Sequence, residues 1–259
     1  MTNDISVALD AGVLTVTIDR VEKKNSLTDA MYGVLADAVE RGETDDGVRV
    51  VVLRAEGDLF SAGNDIGDFA TRSERDPDQP APVKQVSRFL RALAVSTTPI
   101  VAAVQGKAIG VGTTMLLHCD YLVLSEDAQL ITPFSNLALV PEAGSSILLT
   151  ERIGHARAFA MFALGEPLDA QSALEAGVAN AVVPAAELHD RAATVAAALA
   201  AKPAGSLRAT KQLMREPERL LAQIEKESAV FEERLGSAEA KEAFAAFAEK
   251  RRPDFSQFG

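Results

Sequence analysis

The chain has 259 residues, a formal net charge of −11 at pH 7, one cysteine and three histidines. Its length supports one sizeable hydrophobic core, or a core domain with a smaller helical appendage. The acidic balance and the absence of a Lys/Arg stripe argue against nucleic acid as a partner. A polyanionic small ligand remains compatible with this charge if a few cations are grouped locally.

The single cysteine excludes an internal disulfide and a cysteine-based metal cluster, and the scattered histidines lack the spacing of metal ligands. We therefore predict no metal site. The apolar runs stay below the roughly 18 to 20 residues that span a bilayer, so we predict no membrane segment. Neither end of the sequence resembles a targeting signal, and we expect a cytoplasmic protein.

The first 55 residues predict a hairpin, a helix and a buried strand. Residues 5–9 and 13–18 alternate in polarity and are rich in β-branched side chains, which is typical of paired strands. Thr28 or Asp29 is a suitable N-cap for an amphipathic helix. Its apolar face would contain Met31, Val34, Leu35, Ala38 and Val39. The nearly continuous apolar run at 48–55 predicts a strand covered on both sides.

The middle of the chain repeats the strand, loop and helix pattern of an α/β core. Residues 71–82 are charged and contain three prolines, which predicts a mobile surface insertion. A helical stripe follows at 83–93. A strand at 99–105 then leads through a glycine-rich turn into an apolar helix.

The C-terminal third is predominantly helical. A helical pair broken at Gly154, a short helix and a brief strand precede position 185, and later helices are broken near Pro203, Pro217 and Gly236. We predict a core domain at 1–198 and a helical subdomain at 199–259. Phe244 and Phe247 give the last helix an apolar face that a partner subunit could cover.

Two glycine-containing loops follow predicted strands, SAGND at 61–65 and GKAIGVG at 106–112. Each would present free N–H groups at the start of a helix, where a negative charge is favoured. Taken singly, either loop is explained by a tight turn. Two such donors directed at one oxygen would instead form an oxyanion hole.

Three polar positions near these loops have a structural and a catalytic interpretation. Glu142 follows Pro141, and an acid in the first turn of a helix commonly complements the helix dipole. Asp65 is suited to cap a short helix that starts at Ile66. Thr114 has no histidine in a convincing partner position, so a packing role is favoured over that of a nucleophile.

Four segments together resemble the crotonase superfamily of acyl-CoA enzymes, and the resemblance covers nearly the whole chain. They are LTVTIDRVEKKNSL (14–27), VVLRAEGDLFSAGNDI (51–66), TTPIVAAVQGKAIGVGTTMLLHCDYLVLSEDAQL (97–130) and EAFAAFAEKRRPDF (242–255). Within that superfamily, TPFSNLALVPEAGSS (132–146) and SAGND are most similar to the Δ3,Δ2-enoyl-CoA isomerase branch.

The resemblance implies an α/β spiral of ββα units with a C-terminal helical region used for trimer formation, as a trimer or a dimer of trimers. It also implies an oxyanion hole built from the N–H groups of Ala62 and Val111. The acyl-CoA substrate carries its own coenzyme A, so no further cofactor is expected. By motif position, the substrate-binding residues would be Lys24, Ser61, Ala62, Gly63, Asn64, Asp65, Ile66, Gly110, Val111 and Phe134, with Phe231 and Lys250 contributed across a subunit contact.

Departures from the family pattern indicate the reaction. Thr114 and Phe134 stand where the hydratases carry the two glutamates that position water, and Glu142 stands where the isomerase branch places its acid. The resemblance therefore implies a double-bond isomerase of fatty-acid β-oxidation with Glu142 as its base. We expect Phe134, Leu137 and Leu139 to raise the pKa of Glu142.

Two alternatives stay open at the level of sequence. A hydratase or another acyl-CoA lyase could recruit a carboxylate from elsewhere, such as Asp65 or Asp68. The chain could also be a non-catalytic acyl-CoA-binding member of the superfamily. Rapid hydration of a 2-enoyl-CoA would favour the first, and binding without turnover would favour the second.

Overall fold

A six-stranded sheet and a three-stranded sheet organise the protein. The computed structural model describes residues 4–65 and 84–258. The strands are β1 (Ile5–Asp10), β2 (Val13–Ile18), β3 (Val50–Ala55), β4 (Ile100–Val104), β5 (Lys107–Ile109), β6 (Tyr121–Ser125), β7 (Gln129–Ile131), β8 (Leu168–Asp169) and β9 (Ala181–Val183). The larger sheet has the order β1-β2-β3-β4-β6-β9, and the smaller one has the order β5-β7-β8.

Helices follow most strands and dominate the C-terminal part. Within the described residues they are α1 (Asp29–Thr44), α2 (Gln85–Val95), α3 (Val111–Thr114), α4 (Ser145–Ile153), α5 (His155–Phe159), α6 (Ala170–Glu175), α7 (Leu188–Ala200), α8 (Ala204–Leu213), α9 (Pro217–Leu235) and α10 (Ala238–Ala248). Thr28 is the N-cap of α1, as predicted, and its side chain accepts a hydrogen bond from the Met31 N–H.

Four successive units give the chain the predicted ββα spiral. In three units a strand of the large sheet is followed by a second extended segment and then by a helix: β2 leads to Leu27 and α1, β4 to β5 and α3, and β6 to β7 and α4. In the remaining unit β3 leads to residues 61–64, and α2 is the next helix among the described residues. The second segments pair in parallel from one unit to the next, through Leu27 with Asn64, Ser61 with Ala108 and β5 with β7. This pairing brings the loops at the ends of the units together.

The central strands β3 and β4 of the large sheet are buried on both faces, and the alternation of their side chains explains how. Val50 and Val52 of β3 pack with Leu188, Ala192 and Ala196 of α7 on one face. The alternate residues of β3 join the main core with α1 and α2 on the other face. A strand that is covered on both sides reads as a continuous apolar run, which is the pattern at 48–55.

Some sequence-based predictions fall on residues that the structure does not describe, and one predicted domain boundary is not tested. The interpretation of 71–82 as an insertion lies outside the described residues, as do Ile66 and Asp68. The boundary at 198/199 stays a prediction, although α7 continues across it to Ala200 and packs on the large sheet. Among the described residues, no helix is long and apolar enough to cross a membrane.

Candidate active site

The two glycine-containing loops lie against each other. Ser61 forms a parallel bridge with Ala108, which joins the chain after β3 to β5. A Cβ on Gly63 would lie 2.7 Å from the Ile109 carbonyl oxygen, and one on Gly112 would lie 2.9 Å from the Ser61 carbonyl oxygen. A side chain at either position would collide with backbone, so the glycines allow the two loops to approach closely.

The Ala62 N–H, assigned to the oxyanion hole by resemblance, is already bonded within the protein. It donates to the carbonyl oxygen of Lys24 at 2.9 Å. This bond contradicts the assignment of Ala62 as a donor, because an N–H directed at Lys24 does not point at a substrate oxygen. The donor from this loop must therefore be another residue.

Asn64 supplies an N–H that has no acceptor among the described residues. The Leu27 N–H donates to the Gly63 carbonyl at 2.8 Å, and the Asp65 N–H donates to the Leu27 carbonyl at 3.0 Å. Because backbone groups alternate in direction along an extended segment, the Asn64 N–H points away from Leu27. The Tyr32 hydroxyl donates to the Asn64 Oδ1 at 2.6 Å and holds the residue in place.

Val111 supplies the second donor, at the first position of α3. The Gly110 N–H donates to the Ile131 carbonyl at 2.8 Å, and the N–H groups of Thr113 and Thr114 donate to the Gly110 carbonyl at 2.9 and 3.0 Å. In the described parts of the chain the Val111 N–H has no acceptor, as the first turn of a helix requires. The predicted role of Val111 as a donor stays compatible with the geometry.

Glu142 lies just outside α4 rather than in its first turn. Ala143 and Gly144 both have a positive φ, 62° and 73°, and Gly144 is the N-cap of α4. The chain therefore turns between Glu142 and the helix. The interpretation of Glu142 as a first-turn acid that complements the helix dipole is thus wrong.

Burial controls the acidity of Glu142. The residue is only 8% exposed, and loss of hydration raises the pKa of its carboxyl to about 7. A hydrogen bond from Thr114 opposes this rise, and the negative charge of Glu227 adds to it. The predicted direction of the pKa shift is confirmed. A carboxyl with a pKa near neutrality is suited to take up and return a proton.

Thr114 joins Glu142 to the helix that provides a donor. Its hydroxyl donates to the Glu142 Oε1, and Thr114 is itself fully buried on α3. The Glu142 Oε2 accepts no hydrogen bond from the described residues. One carboxyl oxygen is therefore fixed, while the other remains available to a substrate.

Two further side chains hold the segment at 142–146. The His118 Nε2 lies 2.8 Å from the Ala143 carbonyl oxygen. Because a carbonyl only accepts, the His118 Nε2 carries the proton, and burial lowers the pKa of this imidazole to about 3. The Glu227 carboxylate accepts from the Gly144 N–H at 2.5 Å and from the Ser146 N–H at 3.0 Å.

The predicted coenzyme A residues of the first loop have mixed surroundings. Lys24 is exposed and has a positive φ of 52°. The Ser61 hydroxyl is buried and donates to the Asn25 carbonyl at 2.8 Å, so this side chain supports the loop. Asp65 forms an ion pair with Arg20 at 2.6 Å, and its proposed cap of a helix at Ile66 lies outside the described residues.

Phe134 and Phe231 lie in one apolar cluster. Phe134 and Leu139 are buried there, and Leu137 and Phe231 pack against them. The expectation that Phe231 contributes to the site across a subunit contact stays a prediction; within its own chain Phe231 is partly buried against this cluster. Lys250 is exposed beyond the end of α10.

Sequence reasoning missed Asn64 as a donor and Glu227 as a neighbour of Glu142. Nothing in the letters SAGND distinguishes the N–H of Asn64 from that of Ala62, because the difference arises from pairing with Lys24 and Leu27. The sequence does contain an indication that Glu227 is buried. Glu227 lies seven residues after Leu220 and three after Ile224, within the buried stripe of α9, where an apolar residue is expected.

Within the described residues, no group of three or more His, Cys, Asp or Glu side chains could hold a metal ion. A buried carboxyl whose pKa is raised to about 7 is bonded to α3, and the Asn64 and Val111 N–H groups have no acceptor among the described residues; this combination is suited to proton transfer next to a carbonyl group. That class of chemistry is consistent with the relatives of the chain.

A family model described as enoyl-CoA hydratase/isomerase matches residues 8–258, and the chain belongs to this family of the crotonase superfamily. A crystal structure of an enoyl-CoA hydratase/isomerase from Pseudoalteromonas atlantica T6c has a TM-score of 0.92 and 42% sequence identity, and the match covers 98% of this chain and 100% of the other. The crotonase-type fold is therefore confirmed.

The names of similar proteins include both activities. The 1,2-epoxyphenylacetyl-CoA isomerase of Escherichia coli (strain K12) is 34% identical over 256 residues, with 96% of each chain covered. A protein of Bacillus subtilis (strain 168) named as a probable enoyl-CoA hydratase is 30% identical over 256 residues, with 98% of each chain covered. The family is thus shown, whereas the choice between isomerisation and hydration depends on the site.

Proposed function

We propose that the protein is a Δ3,Δ2-enoyl-CoA isomerase, which converts a 3-enoyl-CoA to a trans-2-enoyl-CoA in fatty-acid β-oxidation. The observation that carries this proposal is the buried carboxyl of Glu142, which has a pKa of about 7 and one oxygen without a hydrogen bond from the described residues. Thr114 links this carboxyl to α3, whose first N–H is a free donor.

The reaction needs one base and one anion-binding pair. The thioester oxygen would accept hydrogen bonds from the N–H groups of Asn64 and Val111, while the Glu142 carboxylate removes the C2 proton. The electron pair of the broken C–H bond moves into a dienolate, whose oxygen charge the two donors stabilise. The protonated Glu142 then delivers the same proton to C4, which leaves the double bond between C2 and C3.

Hydration would require a second carboxylate to hold and activate water, and the described residues around Glu142 offer none without hydrogen-bond or ion-pair partners; the alternative acid Asp68 lies outside the described residues. Thr114 and Phe134 carry no charge. Both oxygens of Glu227 already accept hydrogen bonds from the start of α4. Asp65, an alternative weighed from the sequence, is paired with Arg20. This set of contacts favours isomerisation over hydration, even though relatives of the chain are named for both.

Replacing Glu142 tests the proposal directly. Glu142→Gln keeps the shape of the side chain but removes the base, so double-bond migration should fall by about 10³-fold or more while a coenzyme A thioester still binds. Initial rates with a 3-enoyl-CoA, together with calorimetric binding, measure both properties. Glu151→Gln is the matched control, because Glu151 lies exposed on α4 in an ion pair with Arg219. Turnover retained by Glu142→Gln would remove Glu142 from the mechanism.

We also propose a trimer, or a dimer of trimers, as the resemblance implies. Leu213 and Met214 are 90% and 80% exposed in the single chain, and Phe159 and Phe247 are each 59% exposed. Large apolar side chains that are this exposed mark a surface that a partner can cover. Sedimentation should give three or six times the mass of the 27.4 kDa chain, and a monomer at all concentrations would contradict the assignment.

A further inference from the structure

Glu227 is a buried acid at a position where α9 otherwise presents apolar side chains. It is 6% exposed. Before it on the same stripe, Leu220 and Ile224 pack in one apolar cluster. After it, Phe231 packs in the cluster that contains Phe134. Burying a carboxylate between two apolar clusters is costly unless its oxygens are fully bonded.

The hydrogen bonds of Glu227 are all made to the start of α4. Its Oε2 accepts from the Gly144 N–H at 2.5 Å, and its Oε1 accepts from the Ser146 N–H at 3.0 Å and from the Ser146 hydroxyl. The Gln223 Nε2 donates to the Ser146 Oγ at 2.8 Å, which adds a second link from α9. The N-terminal N–H groups of α4 are thus capped by a residue some eighty positions away along the chain.

The capped segment is the one that carries Glu142. Only Ala143 separates Glu142 from Gly144, and both following residues have a positive φ. A Cβ on Gly144 would lie 2.5 Å from the Leu220 Cδ1, so α9 also packs directly against this turn. The orientation of Glu142 is therefore coupled to the position of α9.

We propose that Glu227 is a positioning residue, whose carboxylate holds residues 142–146 in the conformation that directs Glu142 towards the Asn64 and Val111 donors. The catalytic role of this positioning rests on the proposed isomerase activity. The effect of Glu227 on the orientation and the pKa of Glu142 does not depend on that activity. Without the bonds from Gly144 and Ser146, the turn before α4 loses its fixed conformation and Glu142 loses its alignment.

The charges around this segment determine the expected pH dependence. Glu227 faces it from α9, and His118 faces it from the turn after α3 but stays neutral, since burial lowers the pKa of His118 to about 3. The cations of Arg152, Lys211 and Arg215 act on His118. The negative charge of Glu227 raises the pKa of Glu142, so removing that charge should move the Glu142 titration to lower pH.

Two variants and a control separate this role from general stability. Glu227→Gln removes the charge and turns one acceptor into a donor that faces an N–H group. Glu227→Asp keeps the charge but shortens the side chain by one methylene, so that it no longer reaches both N–H groups. Glu225→Gln is the control, because Glu225 lies exposed on α9 in an ion pair with Arg91.

The test combines kinetics with a titration that does not depend on turnover. For Glu227→Gln we expect kcat to fall about tenfold or more with KM nearly unchanged, and the Glu142 carboxyl resonance, assigned with Glu142→Gln, to titrate about half to one pH unit lower. Glu225→Gln should match the wild type in both measurements. For Glu227→Asp we expect the loss in kcat without the full shift in titration.

The outcomes distinguish this inference from the proposed function. If Glu227→Gln titrates and turns over like Glu225→Gln, the positioning role is refuted whatever reaction the enzyme catalyses. If Glu227→Gln does not fold, a wild-type kcat and titration in Glu227→Asp would refute it equally. If no variant or wild-type protein isomerises a 3-enoyl-CoA, the proposed function fails, while a shifted Glu142 titration still supports the coupling to Glu227.

Discussion

At the scale of single residues, Glu142 combines a catalytic opportunity with a cost in stability. Burial raises the pKa of its carboxyl from the ordinary 4.5 to about 7, with Glu227 adding to the rise and Thr114 opposing it. Near neutral pH the group therefore exchanges its proton readily, which a base that must take and return one proton requires. The same shift means that ionising Glu142 opposes folding.

This linkage predicts a pH-dependent stability difference. The folded pKa lies above the unfolded value, so as pH rises from about 4.5 to about 7 the unfolded state releases the proton first and the free energy of unfolding decreases. Glu142→Gln does not ionise and escapes this loss. Its stability relative to the wild type should increase between pH 5 and pH 8, by at most about 3 kcal/mol.

Urea unfolding at the two pH values measures the effect. Glu151→Gln should show the same difference from wild type at both, because Glu151 is about half exposed. An equally large difference between Glu142→Gln and wild type at pH 5 and pH 8 would show that Glu142 is not buried in the manner described.

For single residues, the sequence allowed a prediction only where the expected role follows from the place of the residue in a motif. Glu142 and Val111 could be selected by motif, and the apolar neighbours of Glu142 predicted its pKa shift. The choice between Ala62 and Asn64 could not be made, since it depends on which N–H is taken by Lys24. The hydrogen bond from the Gly144 N–H to Glu227 depends on how α9 packs against the turn before α4. Hydrophobic periodicity along the sequence does not predict this packing.

At the scale of elements, an ion pair between the buried Lys211 and the partly exposed Asp120 attaches the C-terminal helices to the core. The Lys211 ammonium on α8 donates to the Thr98 carbonyl and to the Asp120 Oδ2, both at 2.7 Å. The same Asp120 oxygen accepts from the Ile100 N–H at 2.8 Å, at the start of β4. Arg215 adds a bond to the Asp120 Oδ1 at 3.0 Å. This network fixes α8 next to the N-terminal end of β4, an inner strand of the large sheet.

Breaking this pair should destabilise the protein strongly. Lys211→Met removes a donor from the Thr98 carbonyl and leaves Asp120 with Arg215 as its cation, so we expect a loss of about 2 kcal/mol in the free energy of unfolding. Arg219→Met is the control, because its pair with Glu151 is exposed and solvent screens it, so that its loss should matter much less. Equal losses in the two variants, measured by urea unfolding, would contradict the structural role of Lys211.

The positions of helices and strands were predicted well where the hydrophobic periodicity is clear. The prediction was poor where an unusual turn determines where a helix begins. The hairpin, α1 with its Thr28 cap, and the strands near 50 and 100 followed from alternation and capping. The alternative interpretation that put Glu142 in the first turn of α4 failed, because the chain turns at Ala143, whose positive φ is not a conformation that alanine suggests. The four-unit spiral followed from family resemblance, since its long-range pairings are not encoded in local pattern.

At the scale of the whole molecule, the fold links segments from three units of the spiral, which contain Asn64, Val111 and Glu142. The loop at 61–65, the start of α3 and the turn before α4 each end one unit, and parallel pairing between units places them side by side. A net charge of −11 opposes a polyanionic ligand in general, so the proposed acyl-CoA substrate would need local cations, and Lys24 stays a predicted one.

The most direct test of this account compares two reactions of the same wild-type protein. Initial rates are measured with a 3-enoyl-CoA, for migration of the double bond, and with the corresponding trans-2-enoyl-CoA in water, for hydration. If Glu142 is the base, as proposed, and no second carboxylate activates water, migration should be fast and hydration should stay near the uncatalysed rate. Hydration that equals or exceeds migration would contradict the assignment and require a second group that activates water.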